Sequence, residues 1–166
     1  MSQKGKMASV CPVLFLILAV GWAAMPVMRS TCNSMRRNET LYQKFLKQHF
    51  APKMVAKKCD REIVKRKIYG DEGTHSCKQV NTFIADGKKK DILGVCDKAG
   101  SPYPGNLTIS NKPFHVITCK LKGKSDRRPC KYRGDSSTRK IVIRCENKLP
   151  VHYEEGKIIP PANESV

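Results

Sequence analysis

Two histidines and one lysine, far apart in the chain, are the side chains that could together carry out general acid–base chemistry. His49 follows Gln48 at the end of a short helical pattern. Lys78 lies in the alternating, strand-like segment 77–83, and His152 lies near the C-terminus. One imidazole can take a proton from a hydroxyl while a second gives a proton to a leaving oxygen, and a fixed ammonium can stabilise charge developing on phosphorus. The three together suit cleavage of an RNA backbone, without a metal ion or other cofactor.

The first element that must position this chemistry is a helix carrying His49. Leu41, Phe45 and His49 fall at i, i+4 and i+8, so they share one helical face. We predict a helix from residue 39 to about residue 50, with Asn38 as its N-cap and an acidic residue in its first turn. The imidazole should therefore point, with the apolar face, into the body of the protein.

The rest of the chain has helices followed by strands, which is typical of an α+β fold. Apolar and β-branched runs predict strands in the second half, and clusters of Gly, Pro, Ser and Asp predict turns. We expect two further helices over 55–65 and 90–96, strands over 114–120 and 141–144, and turns at 101–105, 122–125 and 134–137.

The N-terminal residues predict a secretory signal. Lys4 and Lys6 form a basic start, and an apolar run of roughly a dozen residues follows them. The run is too short to span a bilayer comfortably, although an uncleaved membrane anchor is the alternative. We expect a secreted, extracellular protein. We divide the chain into a signal (1–24), a flexible basic extension (25–38), a folded domain (39–158) and a loose tail (159–166).

Cysteine usage indicates a disulfide-bonded protein. The chain has eight Cys, of which Cys11 falls in the signal and Cys32 in the extension. The other six form no C-x-x-C pair, which argues against a zinc ribbon or a thioredoxin-like site. After a secretory signal they should form disulfides, and spacing alone does not select one pairing. Cys32 is left as a free thiol, an intermolecular partner or part of a longer leader.

The net charge favours a polyanionic partner. The formal charge is +18, and loss of residues 1–24 removes only Lys4 and Lys6, which leaves +16. Such a field suits nucleic acid, a heparan-type polysaccharide or an anionic membrane surface, and charge does not choose among them. A basic protein kept soluble by its charge is the simplest alternative.

Three separated segments resemble the motifs of the pancreatic ribonuclease superfamily. They are residues 44–49, the heptad 77–83 and residues 145–152. The six Cys in order add to the resemblance, which covers roughly residues 39–158. No further Cys lies between Cys96 and Cys119. In this the chain resembles the angiogenin-like branch and its fish relatives rather than the pancreatic enzymes.

The resemblance implies an α+β fold of the ribonuclease A type, in which three helices pack on a curved antiparallel sheet. It implies the disulfides Cys59–Cys119, Cys77–Cys130 and Cys96–Cys145. It further implies a metal-independent endonuclease that cleaves RNA 3′ to pyrimidines by transphosphorylation, through a 2′,3′-cyclic phosphate. Angiogenic or antimicrobial activity would accompany membership of this branch, and we expect a monomer.

By the same resemblance His49 is the general base, Lys78 stabilises the phosphorane and His152 is the general acid. Thr82 should read the pyrimidine edge with its backbone N–H and its hydroxyl, because a hydroxyl both donates and accepts. Asn81 should order the site by hydrogen bonding. The expected substrate-binding residues are Lys44, Lys47, Gln48, Asn81, Thr82, Glu146 and Tyr153.

Each remaining substrate contact has an expected partner in the RNA. Gln48 should bond a phosphate oxygen, and Lys44 and Lys47 should hold a neighbouring phosphate. Glu146 should lie near the base 3′ of the scissile bond. Tyr153 stands where the family has an apolar or aromatic residue.

Two acidic residues after His152 depart from the family pattern. Glu154 replaces an Asp that orients the imidazole, and its extra methylene puts that contact in question. Glu155 stands where angiogenins carry a residue that partly blocks the pyrimidine pocket. An acid there could obstruct the pocket or repel phosphate, so we expect weak catalysis.

Other basic and polar residues have two interpretations each. Lys65, Arg66 and Lys67 match a nuclear localisation run of angiogenins, which would allow nuclear or nucleolar uptake, but cations also suit a helix end. His75 and His115 match no catalytic position, so we expect structural or surface roles. Each of the sequons at Asn38, Asn106 and Asn163 is a possible glycosylation site in a secreted chain.

A second function class remains open beside the endonuclease. The chain could be a secreted cationic signalling or host-defence protein that acts through charge and surface, for example on a cell-surface receptor, rather than through RNA turnover. The mature charge and Glu155 motivate this hypothesis. Loss of effect with both catalytic histidines would argue against it.

Overall fold

We describe a computed structural model over residues 39–70, 76–123 and 127–159. The predicted signal and extension, Cys32, His75 and most of the tail lie outside these residues. The helices are α1 (Leu41–His49), α2 (Cys59–Lys65) and α3 (Lys89–Val95), with a 3-10 turn at Ala56–Lys58. The strands are β1 (Val80–Ile84), β2 (Gly100–Tyr103), β3 (Leu107–Ser110), β4 (Phe114–Leu121), β5 (Tyr132–Arg139), β6 (Val142–Glu146) and β7 (Leu149–Tyr153). The predicted α+β class is confirmed.

Helix α1 begins later than predicted, because Thr40 rather than Asn38 caps it. The Thr40 hydroxyl accepts from the Gln43 backbone N–H at 3.1 Å, and the Gln43 side chain accepts from the Thr40 N–H at 2.9 Å. This capping box satisfies two backbone donors at once. Glu39 therefore lies outside the helix, where its carboxylate contacts the Lys47 ammonium at 3.4 Å.

The second and third helices agree closely with their predicted ranges. The segment 55–65 forms a 3-10 turn followed by α2, and Cys59 and Ile63 are both buried, as expected from their spacing. Helix α3 begins one residue earlier than predicted. Within the described residues no helix is long and apolar enough to cross a membrane.

The antiparallel strands form two sheets. One has the order β1-β4-β5 and the other β2-β3-β6-β7. In the first sheet Thr82 of β1 lies opposite Thr118 of β4. The strands of the second sheet end in a β6–β7 hairpin whose two loop residues, Asn147 and Lys148, both have positive φ, as a tight hairpin requires. That hairpin returns the chain to place His152 opposite Arg144.

The turn predicted at 134–137 is wrong, because these residues lie inside β5. Gly134 pairs with Cys119 and Asp135 with Thr118 of β4. A Cβ at Gly134 would lie 2.5 Å from the Ala56 carbonyl oxygen. The glycine is thus needed for close packing of the 3-10 turn on the sheet rather than for a reversal of the chain.

The turn predicted at 101–105 is only partly correct. Strand β2 continues to Tyr103, and the reversal falls at 104–106, where Gly105 and Asn106 adopt positive φ. The turn predicted at 122–125 lies partly outside the described residues.

Three disulfides join the helices and loops to the sheets around two hydrophobic clusters. They are Cys59–Cys119, Cys77–Cys130 and Cys96–Cys145, the pairs that the resemblance implied. One cluster lies between α2 and the three-stranded sheet, and the other packs α1 and α3 on residues of both sheets, among them Ile84, Val116 and Ile143. Because the partners are separated by 49 or more positions in the sequence, each bond should contribute roughly 4 kcal/mol by constraining the unfolded chain.

Candidate active site

The orientation of the His49 imidazole is set by strand β1. Its Nδ1 lies 2.8 Å from the Thr82 carbonyl oxygen. A carbonyl can only accept, so Nδ1 carries the proton and Nε2 keeps its lone pair. The Tyr153 ring stacks on the imidazole with centroids 5.0 Å apart, and the Phe45 ring lies 5.3 Å away. His49 is thus held as a neutral base of defined tautomer.

Burial and nearby cations keep this imidazole neutral. The pKa of His49 is lowered from 6.5 to about 3, and burial is the largest cause. The Lys78 ammonium and, to a smaller extent, His152 also lower this pKa, whereas the hydrogen bond to the Thr82 carbonyl raises it. His49, Lys78 and His152 are therefore close enough to interact electrostatically.

Lys78 is held against α1 through Asn81. The Lys78 Nζ donates to the Asn81 Oδ1 at 2.9 Å, and the Asn81 amide donates to the Gln48 carbonyl at 2.9 Å. The Tyr132 hydroxyl donates to the Lys78 backbone carbonyl at 2.9 Å. Burial lowers the pKa of Lys78, the Glu155 carboxylate raises it, and Lys44 lowers it.

Arg66 fastens the end of α1, an arrangement that sequence reasoning missed. Its guanidinium donates to the Lys47 and Phe50 carbonyls, each at 3.0 Å, and its Nε donates to Glu62 at 3.2 Å. The same guanidinium lies 5.6 Å from the centre of the Phe83 ring. The middle residue of the predicted nuclear localisation run thus stabilises the end of α1, while Lys65 and Lys67 are exposed.

A cleft of about 260 Å³ brings five predicted site residues together. His152 lies at its edge with a side chain that is 57% exposed, and its Nε2 is 4.0 Å from the Glu154 carboxylate, beyond hydrogen-bonding distance. The lining residues are Leu41, Lys44, Phe45, Gln48, His49, Arg144, Glu146, Val151 and His152. Arg144, which the sequence reasoning had not considered, adds a cation to the cleft.

Lys47 and His115 do not line this cleft. Lys47 pairs with Glu39 at 3.4 Å. His115 is half-buried on β4, and its Nε2 lies 3.5 Å from the Ser136 hydroxyl. Among the described residues, no three His, Cys, Asp or Glu side chains converge to hold a metal ion.

Glu155 occupies both groups with which Thr82 was expected to read a base. The Thr82 backbone N–H donates to the Glu155 Oε1 at 2.8 Å, and the Thr82 hydroxyl donates to the Oε2 at 2.5 Å. Of the two effects considered for this acid, these contacts favour obstruction. Tyr153 lies beside this contact, and burial raises its pKa to about 12 although Arg139 opposes the shift.

Thr118 and Arg139 lie directly beneath Thr82, and sequence reasoning did not single them out. The Arg139 guanidinium donates to the Thr118 hydroxyl at 3.0 Å, and that hydroxyl is 3.2 Å from the Thr82 hydroxyl. Arg139 is 6% exposed, and its Nε has no hydrogen-bond partner. A long basic side chain at the end of a polar strand gives no sequence signal of such burial.

The sequence of this chain is similar to those of known ribonucleases and angiogenins. A family model described as pancreatic ribonuclease matches residues 40–154. Angiogenin-4 of Mus musculus is 41% identical over 155 residues, which cover 92% of this chain and 98% of the relative. Angiogenin of Mus musculus is 41% identical over 146 residues, which cover 86% and 92%.

Solved structures give the same result. The zebrafish RNase5 structure is 51% identical with a TM-score of 0.65, and the match covers 70% of this chain and 93% of that one. The green turtle egg white ribonuclease is 36% identical with a TM-score of 0.64, and the match covers 73% and 100%. These matches confirm the predicted ribonuclease fold, enzyme class and angiogenin-like branch. The chain therefore belongs to the pancreatic ribonuclease family.

Proposed function

We propose that the protein is a secreted endonuclease that cleaves RNA 3′ to pyrimidines by transphosphorylation, and that Glu155 keeps its activity low. The observation that carries the proposal is the pairing of two histidines in one cleft. His49 is buried with a free Nε2, whereas His152 is exposed at the edge. Base and acid roles need such different environments.

The proposed reaction uses these two imidazoles in turn. The His49 Nε2 takes the proton of the 2′-hydroxyl, and the 2′-oxygen attacks the adjacent phosphorus. Lys78 stabilises the negative charge on the phosphorane. The bond to the 5′-oxygen breaks as His152 protonates that oxygen, which leaves a 2′,3′-cyclic phosphate and a free 5′-hydroxyl.

The remaining cleft residues support binding of the RNA backbone. Lys44, Gln48 and Arg144 line the cleft beside the two histidines, where each can contact a phosphate oxygen. Glu146 lies at the same edge, where it can accept from an amino group of the base 3′ of the scissile bond. Lys47 would have to exchange Glu39 for a phosphate to take its expected role.

A second candidate is a cationic effector that acts without RNA turnover. Its support is the closed state of Thr82 together with the net charge of +18. A heparan-type polysaccharide, an anionic membrane or a cell-surface receptor would be its partner, and nuclear uptake through residues 65–67 would be a further step.

The deciding experiment measures cleavage of cytidylyl-adenosine by the oxidised, purified protein and by His152→Ala. We expect measurable cleavage that His152→Ala abolishes. His115→Ala is the matched control, because it removes a histidine from outside the cleft and should leave the rate unchanged. Equal rates in the protein and His152→Ala would overturn the endonuclease proposal and favour the effector.

A further inference from the structure

We propose that Arg144 and Glu146 together select the base on the 3′ side of the scissile bond, and that this base is guanine. The inference rests on the proposed function and deepens it, because it names the second base of the cleaved sequence. Glu146 alone was expected near that base. Arg144 was not singled out from the sequence, and it adds hydrogen-bond donors to a site that otherwise offers an acceptor.

Arg144 lies where the leaving nucleoside has to bind. It pairs directly with His152 across strands β6 and β7, and opposed residues in such a pair have Cβ atoms about 5 Å apart. In the proposed reaction His152 protonates the 5′-oxygen of the leaving nucleoside, so this oxygen must come within hydrogen-bonding distance of the imidazole. The same ribose carries the base, which is therefore held against the residues that flank His152.

Glu146 presents a carboxylate to the same space. It follows Arg144 by two residues on β6, which is about 7 Å along an extended strand, and both residues line the cleft with His152. Both are exposed. Among the described residues, neither side chain has a hydrogen-bond or ion-pair partner. One guanidinium and one carboxylate are thus available to a ligand at this edge of the cleft.

The pair of opposite charges suits a base better than a phosphate. A phosphate that Arg144 attracts would be repelled by Glu146, whereas a neutral base can carry both acceptors and donors. Leu41 lines the same cleft with 54% of its surface exposed, and Val151 lines it beside His152. These apolar side chains suit the flat face of a base and give a phosphate nothing to bond.

Guanine is the purine that satisfies both side chains. A guanidinium fork donates to guanine O6 and N7 as a bidentate pair. The carboxylate accepts from N1–H and from the 2-amino group, since it has acceptors only. Adenine carries an amino group in place of O6, where it faces the donors of Arg144. Its N1 is an acceptor that faces the carboxylate, so adenine leaves each side chain with one bond at most.

The expected preference follows from the loss of these paired contacts. A bidentate contact between a side chain and a base discriminates against the wrong base by roughly 5- to 150-fold. Because Arg144 and Glu146 are exposed, we expect the lower end of this range. The kcat/KM for cytidylyl-guanosine should exceed that for cytidylyl-adenosine by about 5- to 10-fold. This ratio is informative, because damage to the fold lowers both values together.

The test measures both dinucleotides in a Glu155→Ala background, so that the pocket for the first base is open. Arg144→Met should lower kcat/KM for cytidylyl-guanosine by about 5- to 10-fold and that for cytidylyl-adenosine much less. Arg133→Met is the matched control, because it removes an exposed guanidinium that does not line the cleft. It should leave the ratio unchanged.

Two further measurements separate the contributions of the two side chains. Glu146→Gln should shift the preference towards adenine, because an amide both donates and accepts and can pair with adenine N1 and its amino group. Replacing guanine by 7-deazaguanine removes the N7 acceptor. It should lower the rate of Glu155→Ala and leave the rate of Glu155→Ala/Arg144→Met unchanged, since that variant has no guanidinium to lose the contact.

Three outcomes overturn the inference while the proposed function stands. The first is cleavage of cytidylyl-adenosine at least as efficient as that of cytidylyl-guanosine in Glu155→Ala. The second is an equal loss for both dinucleotides in Arg144→Met, which would assign Arg144 to the phosphate. The third is an effect of 7-deazaguanine that persists in Arg144→Met. Cleavage of neither dinucleotide above the Glu155→Ala/His152→Ala level would instead overturn the proposed function itself.

Discussion

Replacing Glu155 by alanine should activate the enzyme by opening the pyrimidine pocket. Glu155 accepts two hydrogen bonds from Thr82, and its side chain is 21% exposed. A hydrogen bond to a charged group contributes roughly 1.5–3 kcal/mol. The lower value gives about 3 kcal/mol for the pair in this partly exposed site. Ordering the glutamate side chain costs about 1 kcal/mol.

The closed state should therefore be favoured by about 2 kcal/mol, which corresponds to roughly 30-fold. An obstructed pocket lowers apparent affinity by the fraction of molecules that are open. We expect Glu155→Ala to raise kcat/KM for cytidylyl-adenosine by about 10- to 100-fold. The gain should lie in KM rather than kcat, because opening adds no contact specific to the transition state.

The assay is initial-rate cleavage of this dinucleotide over a range of concentrations. Asp97→Ala is the control for charge, since it also removes one carboxylate but from the exposed pair with Lys148. A gain below about threefold in Glu155→Ala would refute the idea that closure limits activity. An equal gain in Asp97→Ala would show that the protein's overall field, rather than the pocket, is responsible.

Three further predictions concern stability and RNA binding. Between pH 6.5 and 3 the unfolded chain binds a proton at His49 that the folded protein does not, because the folded pKa is about 3. The contribution of His49 to the free energy of unfolding should therefore be fully present above pH 6.5, and the free energy should fall by up to about 1.4 kcal/mol per pH unit below it. Denaturant titrations at several pH values should show that the free energy of unfolding changes less steeply with pH in His49→Gln. An unchanged pH dependence would contradict the buried neutral imidazole. Arg66→Met should lower the free energy of unfolding in urea by roughly 2–3 kcal/mol, because three charge-assisted hydrogen bonds are lost; the exposed neighbour Lys65→Met should change it little, and equal losses would contradict the fastening role. For single-stranded RNA binding to His152→Ala, measured by fluorescence anisotropy, the logarithm of the binding constant should fall linearly with the logarithm of the salt concentration. The slope should be about −0.7 per phosphate contacted, and a binding constant independent of salt would exclude phosphate contacts in the cleft.

The three residues proposed for catalysis could be predicted from the sequence because each lies in a short local motif. The segments around His49, Lys78 and His152 carry the family resemblance without any knowledge of long-range contacts. The spacing of Leu41, Phe45 and His49 predicted one helical face directed into the protein. Phe45 and His49 are buried, whereas Leu41, at the start of the helix, is 54% exposed. The environment of His49 could not be predicted from the sequence, because the Thr82 carbonyl that sets its tautomer lies 33 residues away in the chain.

Local composition misled the sequence reasoning where tertiary packing overrides it. The polar segment 134–137 has the residues of a turn, yet it forms the middle of β5 because Gly134 packs on Ala56. Arg66 was taken with its neighbours as part of a basic run. Its partners are backbone carbonyls at the end of another helix. Every residue has such a carbonyl, so the residue types do not indicate which ones Arg66 contacts.

In the proposed function, obstruction by Glu155 competes directly with base recognition, because both use the backbone N–H and the hydroxyl of Thr82. The Thr82 hydroxyl that donates to Glu155 lies 3.2 Å from the Thr118 hydroxyl, which accepts from Arg139. Removal of the Thr118 hydroxyl, as in Thr118→Val, should therefore weaken the contact between Thr82 and Glu155. The activation caused by Glu155→Ala should then be smaller in the Thr118→Val background than in the unaltered protein, since part of the closure has already been lost. Equal activation in the two backgrounds would mean that the Thr118 hydroxyl contributes nothing to closure.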